Sequence, residues 1–202
     1  MLLLFSCTSA PAGHPIQDQP VLPKTGPWSI LVMPPVNLSP DVRAPVTFLA
    51  TSTYPLAESG YYVIPVALSD LTFKQNGITV AEEALLIEAD KLREIFGADA
   101  ALYITISRFG TRYRVISSVV EAAASAKLIE LRSGRQLWSG NVSVTEGSNT
   151  RDSDLLSLLI VAAIDQITNV LSDRAHDTGK QANRQLLSAG KKNSIPYGPY
   201  YQ

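Results

Sequence analysis

Residues 96–144 read FGADAALYITISRFGTRYRVISSVVEAAASAKLIELRSGRQLWSGNVSV, and the fold turns on this stretch. Gly97 is placed to stop a helix, because glycine enters the left-handed conformation without a Cβ clash. After it Leu102, Ile104 and Ile106 alternate with Tyr103, Thr105 and Ser107, the period-two pattern of a half-buried strand. Gly110 reads as a turn, and Tyr113 to Leu131 as a further extended segment. Its run Ala122-Ala123-Ala124-Ser125-Ala126 favours helix by propensity, but the β-rich flanks favour strand. Side chains this small imply that a helix or sheet wall approaches closely. Arg132-Ser133-Gly134-Arg135 is a hairpin loop, and Trp138, Val142 and Val144 fall on one face of the returning strand.

On the N-terminal side, Thr79-Val80-Ala81-Glu82 has the form of a capping box. It predicts one helix with Ala81, Leu85, Ala89, Leu92 and Phe96 facing inward and Glu82, Glu83, Glu88, Lys91, Arg93 and Glu94 facing solvent. Tyr61 to Val66 is rich in strand formers, with Gly60 before it as a helix terminator. Trp28 to Met33 is a nearly continuous apolar run stopped by Pro34-Pro35, as suits a strand buried on both faces. Ser39-Pro40-Asp41 predicts a helix start, and Pro45 and Pro55 limit that helix to about Val46–Thr53. On the C-terminal side a polar loop spans Gly147 to Ser153. The apolar run Leu155 to Ile164 is far shorter than the about 20 residues a membrane span needs. It reads as a core helix, with Leu156, Ile160, Ala163, Ile167 and Val170 on one face, becoming polar after Arg174 and loosened at Gly179. These elements predict an α/β fold, a mixed sheet of about five strands packed by helices. It forms a single domain over residues 28–190, with a Tyr/Pro/Gly tail at 191–202.

The chain has 202 residues, 46% of them hydrophobic and 17% charged, which suits one core-forming domain with tails. Lys+Arg 17 against Asp+Glu 18 gives a formal net charge of -1, without the basic excess that nucleic-acid binding requires. The only cysteine, Cys7, allows neither an internal disulfide nor a cysteine metal cage. Leu2-Leu3-Leu4-Phe5-Ser6 runs into Cys7 and small residues follow, so residues 1–7 resemble the end of a bacterial lipoprotein signal whose cysteine is acylated. A full signal has a charged start and about 7–15 apolar residues, so the natural start is expected upstream of Met1. Residues 8–27 hold Pro11, Pro15, Pro20, Pro23 and Pro27 and read as a tether.

The chemistry-bearing residues are sparse. His14 and His176 lie in the tether and a polar helix, so neither a triad nor a histidine metal site is expected. The sequence carries no Walker loop and no GxGxxG turn. Glu82, Glu83, Glu88 and Asp90 read as a solvated helix face, and Asp99 as an acceptor of backbone hydrogen bonds in its turn. No catalytic residue, cofactor or metal is expected. Tyr197, Tyr200 and Tyr201 form a candidate partner surface, on a tail that either folds back on the domain or is held out for a partner.

Five blocks carry a likeness: Pro34-Pro35 with Ser39-Pro40-Asp41-Val42, Pro55-Leu56-Ala57-Glu58-Ser59-Gly60-Tyr61-Tyr62-Val63-Ile64-Pro65, Phe96-Gly97-Ala98-Asp99-Ala100-Ala101-Leu102-Tyr103-Ile104, Ser133-Gly134-Arg135-Gln136-Leu137-Trp138 and Tyr197-Gly198-Pro199. Together they resemble a family of bacterial lipoproteins of unassigned function, over roughly residues 28–201. Its fold is similar to the N-terminal domain of TolB and, more distantly, to the curli-secretion lipoprotein CsgG. The resemblance implies a lipid-anchored, periplasm-facing α/β domain at the outer membrane, forming a homodimer or binding other envelope proteins. It implies no catalytic residues. The expected function is therefore a non-catalytic interaction or assembly module, with a component of a CsgG-like secretion complex as the alternative and an envelope hydrolase as the least supported.

Overall fold

The computed structural model of the chain describes residues 27–113, 118–147, 164–191 and 193–201. Cys7, the tether up to residue 26, the polar loop from 148 and the apolar run to Ala163 lie outside the described residues, as does the side-chain face drawn through Leu156 to Val170.

The centre is β1, Ser29–Val32, flanked in parallel by β3, Tyr62–Val63, and β4, Ala100–Tyr113. β4 continues into an antiparallel meander with β5, Ser118–Glu130, and β6, Gln136–Gly147. A further two-residue strand, β2, Val36–Asn37, pairs with β4 beyond β1, so the mixed sheet has six strands in five lanes. Pro34-Pro35 causes this division. Met33 donates its N–H to Leu102 and Leu38 donates to Ile106, but prolines have no N–H for the rungs between.

Side chains of β1 explain its continuous apolar composition. Ile30 and Val32 face one layer, with α1 (Ala44–Glu58) and α5 (Ile164–Leu187). Leu31 and Met33 face the other, with α2 (Val66–Gln75), α3 (Ala81–Ala84) and α4 (Ala89–Phe96). The alanine run is strand as predicted, with Ala122, Ala124 and Ala126 buried in the α1/α5 layer.

Six local expectations are corrected. Ser39 caps no helix: it donates from N and Oγ to Asn37 Oδ1, at 3.0 and 2.7 Å, and α1 begins at Ala44 without a side-chain cap. Pro45 sits in the first turn of α1, where no N–H is needed, and the helix runs through Pro55 to Glu58. Only Tyr62 and Val63 of the strand predicted over Tyr61 to Val66 join the sheet, because Pro65 starts α2. The single helix from Ala81 to Phe96 is two, since Glu88 is extended between α3 and α4, and the first begins after an extended Val80 with no side-chain cap, so the predicted Thr79 capping box does not form. The bend lets Ala84 and Leu92 both reach the core and leaves Leu85 and Leu86 in solvent. Gly110 does not turn the chain, which stays in β4 to Tyr113 after a bulge at Ile106/Arg108.

Gly179 likewise does not loosen α5. It is buried inside a continuous helix, and a Cβ there would collide with the Phe109 ring and crowd Thr47. The missing side chain lets α5 lie close to both β4 and α1. Asn183, fully buried one turn on, donates to the Phe48 carbonyl at 2.8 Å and to Thr51 Oγ1 at 2.9 Å, fixing α5 against α1. Gly179→Val should therefore cost about 1–3 kcal/mol by overpacking, read as a lower urea midpoint with an unchanged slope. Substitution at the exposed, open Gly134 loop position by Asn, which tolerates positive φ, should cost much less.

Candidate functional site

The two ends of β1 carry the surfaces that the fold leaves for function. At its start, Asp99 Oδ2 accepts hydrogen bonds from the N–H of Trp28 at 2.9 Å, the N–H of Ser29 at 3.1 Å and Ser29 Oγ at 3.1 Å. Asp99 returns its own N–H to Ser29 Oγ at 3.0 Å, and its carbonyl accepts from Leu131 N–H at 2.8 Å. As expected, this carboxylate accepts backbone hydrogen bonds, but from a strand 70 residues away rather than from its own turn. Oδ2 is used in positioning β1.

The C-terminal tail folds back onto this end. Ile195 is fully buried, and the Pro196 carbonyl accepts from Tyr61 Oη at 2.7 Å. Gly198 N–H donates to Ser59 O at 2.8 Å and Tyr200 N–H to Gly60 O at 3.0 Å. Burial raises the Tyr61 hydroxyl pKa well above the phenol range, keeping it a donor. Backbone meets backbone here. Gly60 is at φ +87°, and a Cβ on it would strike the Tyr201 main chain, while one on Gly198 would strike the Gly60 carbonyl. Trp138 Nε1 donates to Asn193 O at 3.1 Å, so its ring braces the turn that leads into the tail.

The tail tyrosines are brought together at the surface. The Tyr200 ring meets Trp28 edge-on, with centroids 5.0 Å apart, and the Tyr197 and Tyr201 rings lie 3.8 Å apart. A hydrogen bond with Tyr201 raises the Tyr197 pKa. Trp28, Tyr200 and Tyr201 nevertheless stay 41%, 56% and 49% exposed, a cluster that is held in place and still accessible.

At the far end of β1 is a cleft of about 530 Å³ lined by Pro34, Pro35, Pro45, Val46, Leu49, Val66 and Val80. Its position follows from the winding: α1 leaves β1 on one face of the sheet and α2 leaves β3 on the other. Adjacent strands whose connections part in this way open a crevice at their carboxyl ends. The polar lining is Asn37, Thr79, Glu82 and the Asp70–Lys74 ion pair at 2.6 Å. Asn37 is already engaged, donating to Asp41 O and accepting from Ser39. Val46 and Val80 are exposed in the wall, and Leu38, Val42 and Leu86 stand exposed on the neighbouring segments. The sequence did not mark this cleft, because Pro34-Pro35 read as a strand stop and the valines as ordinary helix residues.

Glu82, Glu83, Glu88 and Asp90 are all exposed, spread over α3, α4 and the turn between them. His176 Nδ1 lies 3.2 Å from Thr47 Oγ1 on α1. Among the described residues no group of three or more His, Cys, Asp or Glu comes together, and no helix is long and apolar enough to cross a membrane.

A family model described as "Putative lipoprotein GNA1162-like" matches residues 18–200. The chain belongs to the GNA1162-like lipoproteins. The "Putative lipoprotein NMB1124/NMB1162" of Neisseria meningitidis serogroup B (strain ATCC BAA-335 / MC58) is 43% identical over 201 residues, covering 100% of this chain and 93% of the relative. The crystal structure of lipoprotein GNA1162 from Neisseria meningitidis is 48% identical, with TM-score 0.58, covering 71% of this chain and 99% of that one. A PelC dodecamer from Paraburkholderia phytofirmans is 14% identical with TM-score 0.49, covering 85% of this chain and 93% of that one. Membership of the GNA1162-like lipoproteins implies a lipid-anchored envelope protein, and the mixed α/β fold is shared with the neisserial member.

Two substitutions test the geometry of this end. Asp99→Ala should lower stability by about 2–4 kcal/mol, since three donors to a carboxylate lose their acceptor, measured by urea unfolding. Gly198→Val should release the tail while leaving the sheet intact. Hydrogen exchange would then accelerate at the Gly198 and Tyr200 amides and stay slow in β4 and β5.

Proposed function

We propose that this GNA1162-like lipoprotein is a non-catalytic, periplasm-facing module of the outer membrane, acylated at Cys7, that binds another envelope protein through the cleft end of the sheet. The observation that carries the reading is the apolar cleft, with Val46 and Val80 exposed in its wall and Leu38, Val42 and Leu86 exposed on segments that adjoin its lining in sequence. Exposed apolar residues gathered around a groove mark an interaction site. The cleft lies at the opposite end of β1 from Trp28, where the tether joins. Residues 8–27 give a reach of at most about 60 Å at roughly 3 Å per residue, so a domain held by Cys7 can present the cleft to a protein in the space beside the membrane.

A secretion-complex component is the second reading, favoured by the lengths of β4, β5 and β6, which are 14, 13 and 12 residues. Strands of about 9–11 residues suffice to span a bilayer. In this sheet the apolar face, with Phe109, Val120, Ala122 and Val144, is turned to the α1/α5 layer. The opposite face carries Arg108 and Arg112 paired with Glu121. This distribution supports a role beside a pore rather than as its wall.

A photo-crosslinking side chain at Val46 or Val80 of the full chain in cells should yield a discrete protein adduct. The same group at Glu94, exposed on α4, should not. Val46→Glu combined with Val80→Glu should abolish the adduct formed from a probe at Leu49. Mass spectrometry of the mature N-terminus should find Cys7 acylated, and Cys7→Ser should move the chain to the soluble fraction. Equal labelling from Glu94 would count against the cleft, and an unmodified Cys7 against the anchor.

A further inference from the structure

Trp28, Tyr197, Tyr200 and Tyr201 form a second surface, distinct from the cleft and at the other end of β1. We propose that this aromatic surface docks on the lipid bilayer that holds the anchor, setting the domain with the start of β1 on the membrane and the cleft facing away. The inference rests on the Cys7 anchor proposed above.

Three observations carry it. The rings are amphipathic and accessible: indole and phenol groups combine an apolar body with a polar tip, the combination that concentrates tryptophan and tyrosine at the headgroup level of membranes. They are also fixed before any contact is made. Tyr200 and Tyr201 stand on backbone tied to Gly60 and Gly198, Tyr200 packs against Trp28, and Tyr197 lies against Tyr201. A preorganised surface loses little side-chain entropy on docking.

The third observation is where the tether ends. Trp28 directly follows residues 8–27, so the aromatic surface surrounds the point at which the chain from Cys7 joins the domain. Of all parts of the domain, this end is held nearest the bilayer. Residues 8–27 reach at most about 60 Å at roughly 3 Å per residue, which holds the rings at an effective concentration of the order of millimolar. A weak interfacial affinity is then enough for docking. A protein partner on the same rings would leave the domain free to swing on its tether, whereas bilayer docking sets its orientation.

The test uses the full lipidated chain in vesicles of phosphatidylethanolamine and phosphatidylglycerol with brominated acyl chains. A Trp138→Phe background leaves Trp28 as the sole indole of the chain's 2 tryptophans. Because Trp138 Nε1 bonds Asn193 O, the background is used only if the Gly198 and Tyr200 amides exchange as slowly as in the native chain, and otherwise a photo-crosslinker at Tyr201 replaces the fluorescence. Trp28 fluorescence should be quenched by the brominated lipid and shielded from aqueous acrylamide. Adding Tyr200→Ser and Tyr201→Ser should remove both effects while the protein still floats with the vesicles and keeps a cooperative urea transition. A chain that floats with Trp28 unquenched overturns the docking and leaves the anchor standing. A chain that does not float overturns the anchor, and the docking with it. If the serine variants lose cooperative unfolding, a photo-crosslinker at Tyr201 gives the answer: lipid adducts support docking, and protein adducts overturn it.

Discussion

The carboxylate of Asp99, gripping the amides of Trp28 and Ser29 at the start of β1, sets the register on which the remaining structure depends. It closes the joint between the start of β1 and the start of β4, so that Ile30 pairs with Ala100 and, on the other side, with Val63. A slip of one residue would exchange the two faces of a strand. For β1 it would send Ile30 and Val32 into the α2–α4 layer and Leu31 and Met33 toward α1 and α5. With the register set, one end of the strand meets the folded-back tail and the other opens into the cleft. Both surfaces are products of a single alignment.

Close approach of backbone and helix is the second constraint. Ala122, Ala124 and Ala126 flatten the wall under α5, and Gly179 removes the side chain that would hold that helix away from Phe109. Gly60 and Gly198 do the same for the tail. In each case stability comes from the absence of a side chain, which lets main-chain groups and rings reach contact distance. It also explains why the tyrosines remain available, since the tail is secured by its backbone and by Ile195.

Elements with a strong period were legible from the sequence. The alternation through Leu102, Ile104 and Ile106, the uniform apolar run of β1 and the hairpin at Gly134 all reappear in the sheet. Prolines and glycines misled. Pro45 falls in the initial turn of α1 and Pro55 lies inside it, Gly110 supplies a φ of +109° within β4, and Gly179 serves packing, neither glycine ending its element. The capping-box pattern at Thr79 misled as well, since α3 starts after Val80 without a side-chain cap, and the bend at Glu88 answers a tertiary demand, the burial of both Ala84 and Leu92. The cleft was not legible because an exposed valine and a buried one look alike in sequence. The aromatic surface was legible only in part: the tail tyrosines stood out, but their partner Trp28 read as the beginning of a core strand.

The joining of the tether to β1 at Trp28 also has a mechanical meaning. Tension on an anchored domain enters at this residue and runs along the axis of β1, at right angles or steeply inclined to the hydrogen bonds on its two sides. Those bonds, and the Asp99 grip, are then loaded together in shear rather than one after another as in peeling. The edge-on contact with Tyr200 passes part of the load to the C-terminal end of the chain. The domain is thus gripped by a strand bonded on both sides, as suits a body that must stay folded while it is pulled.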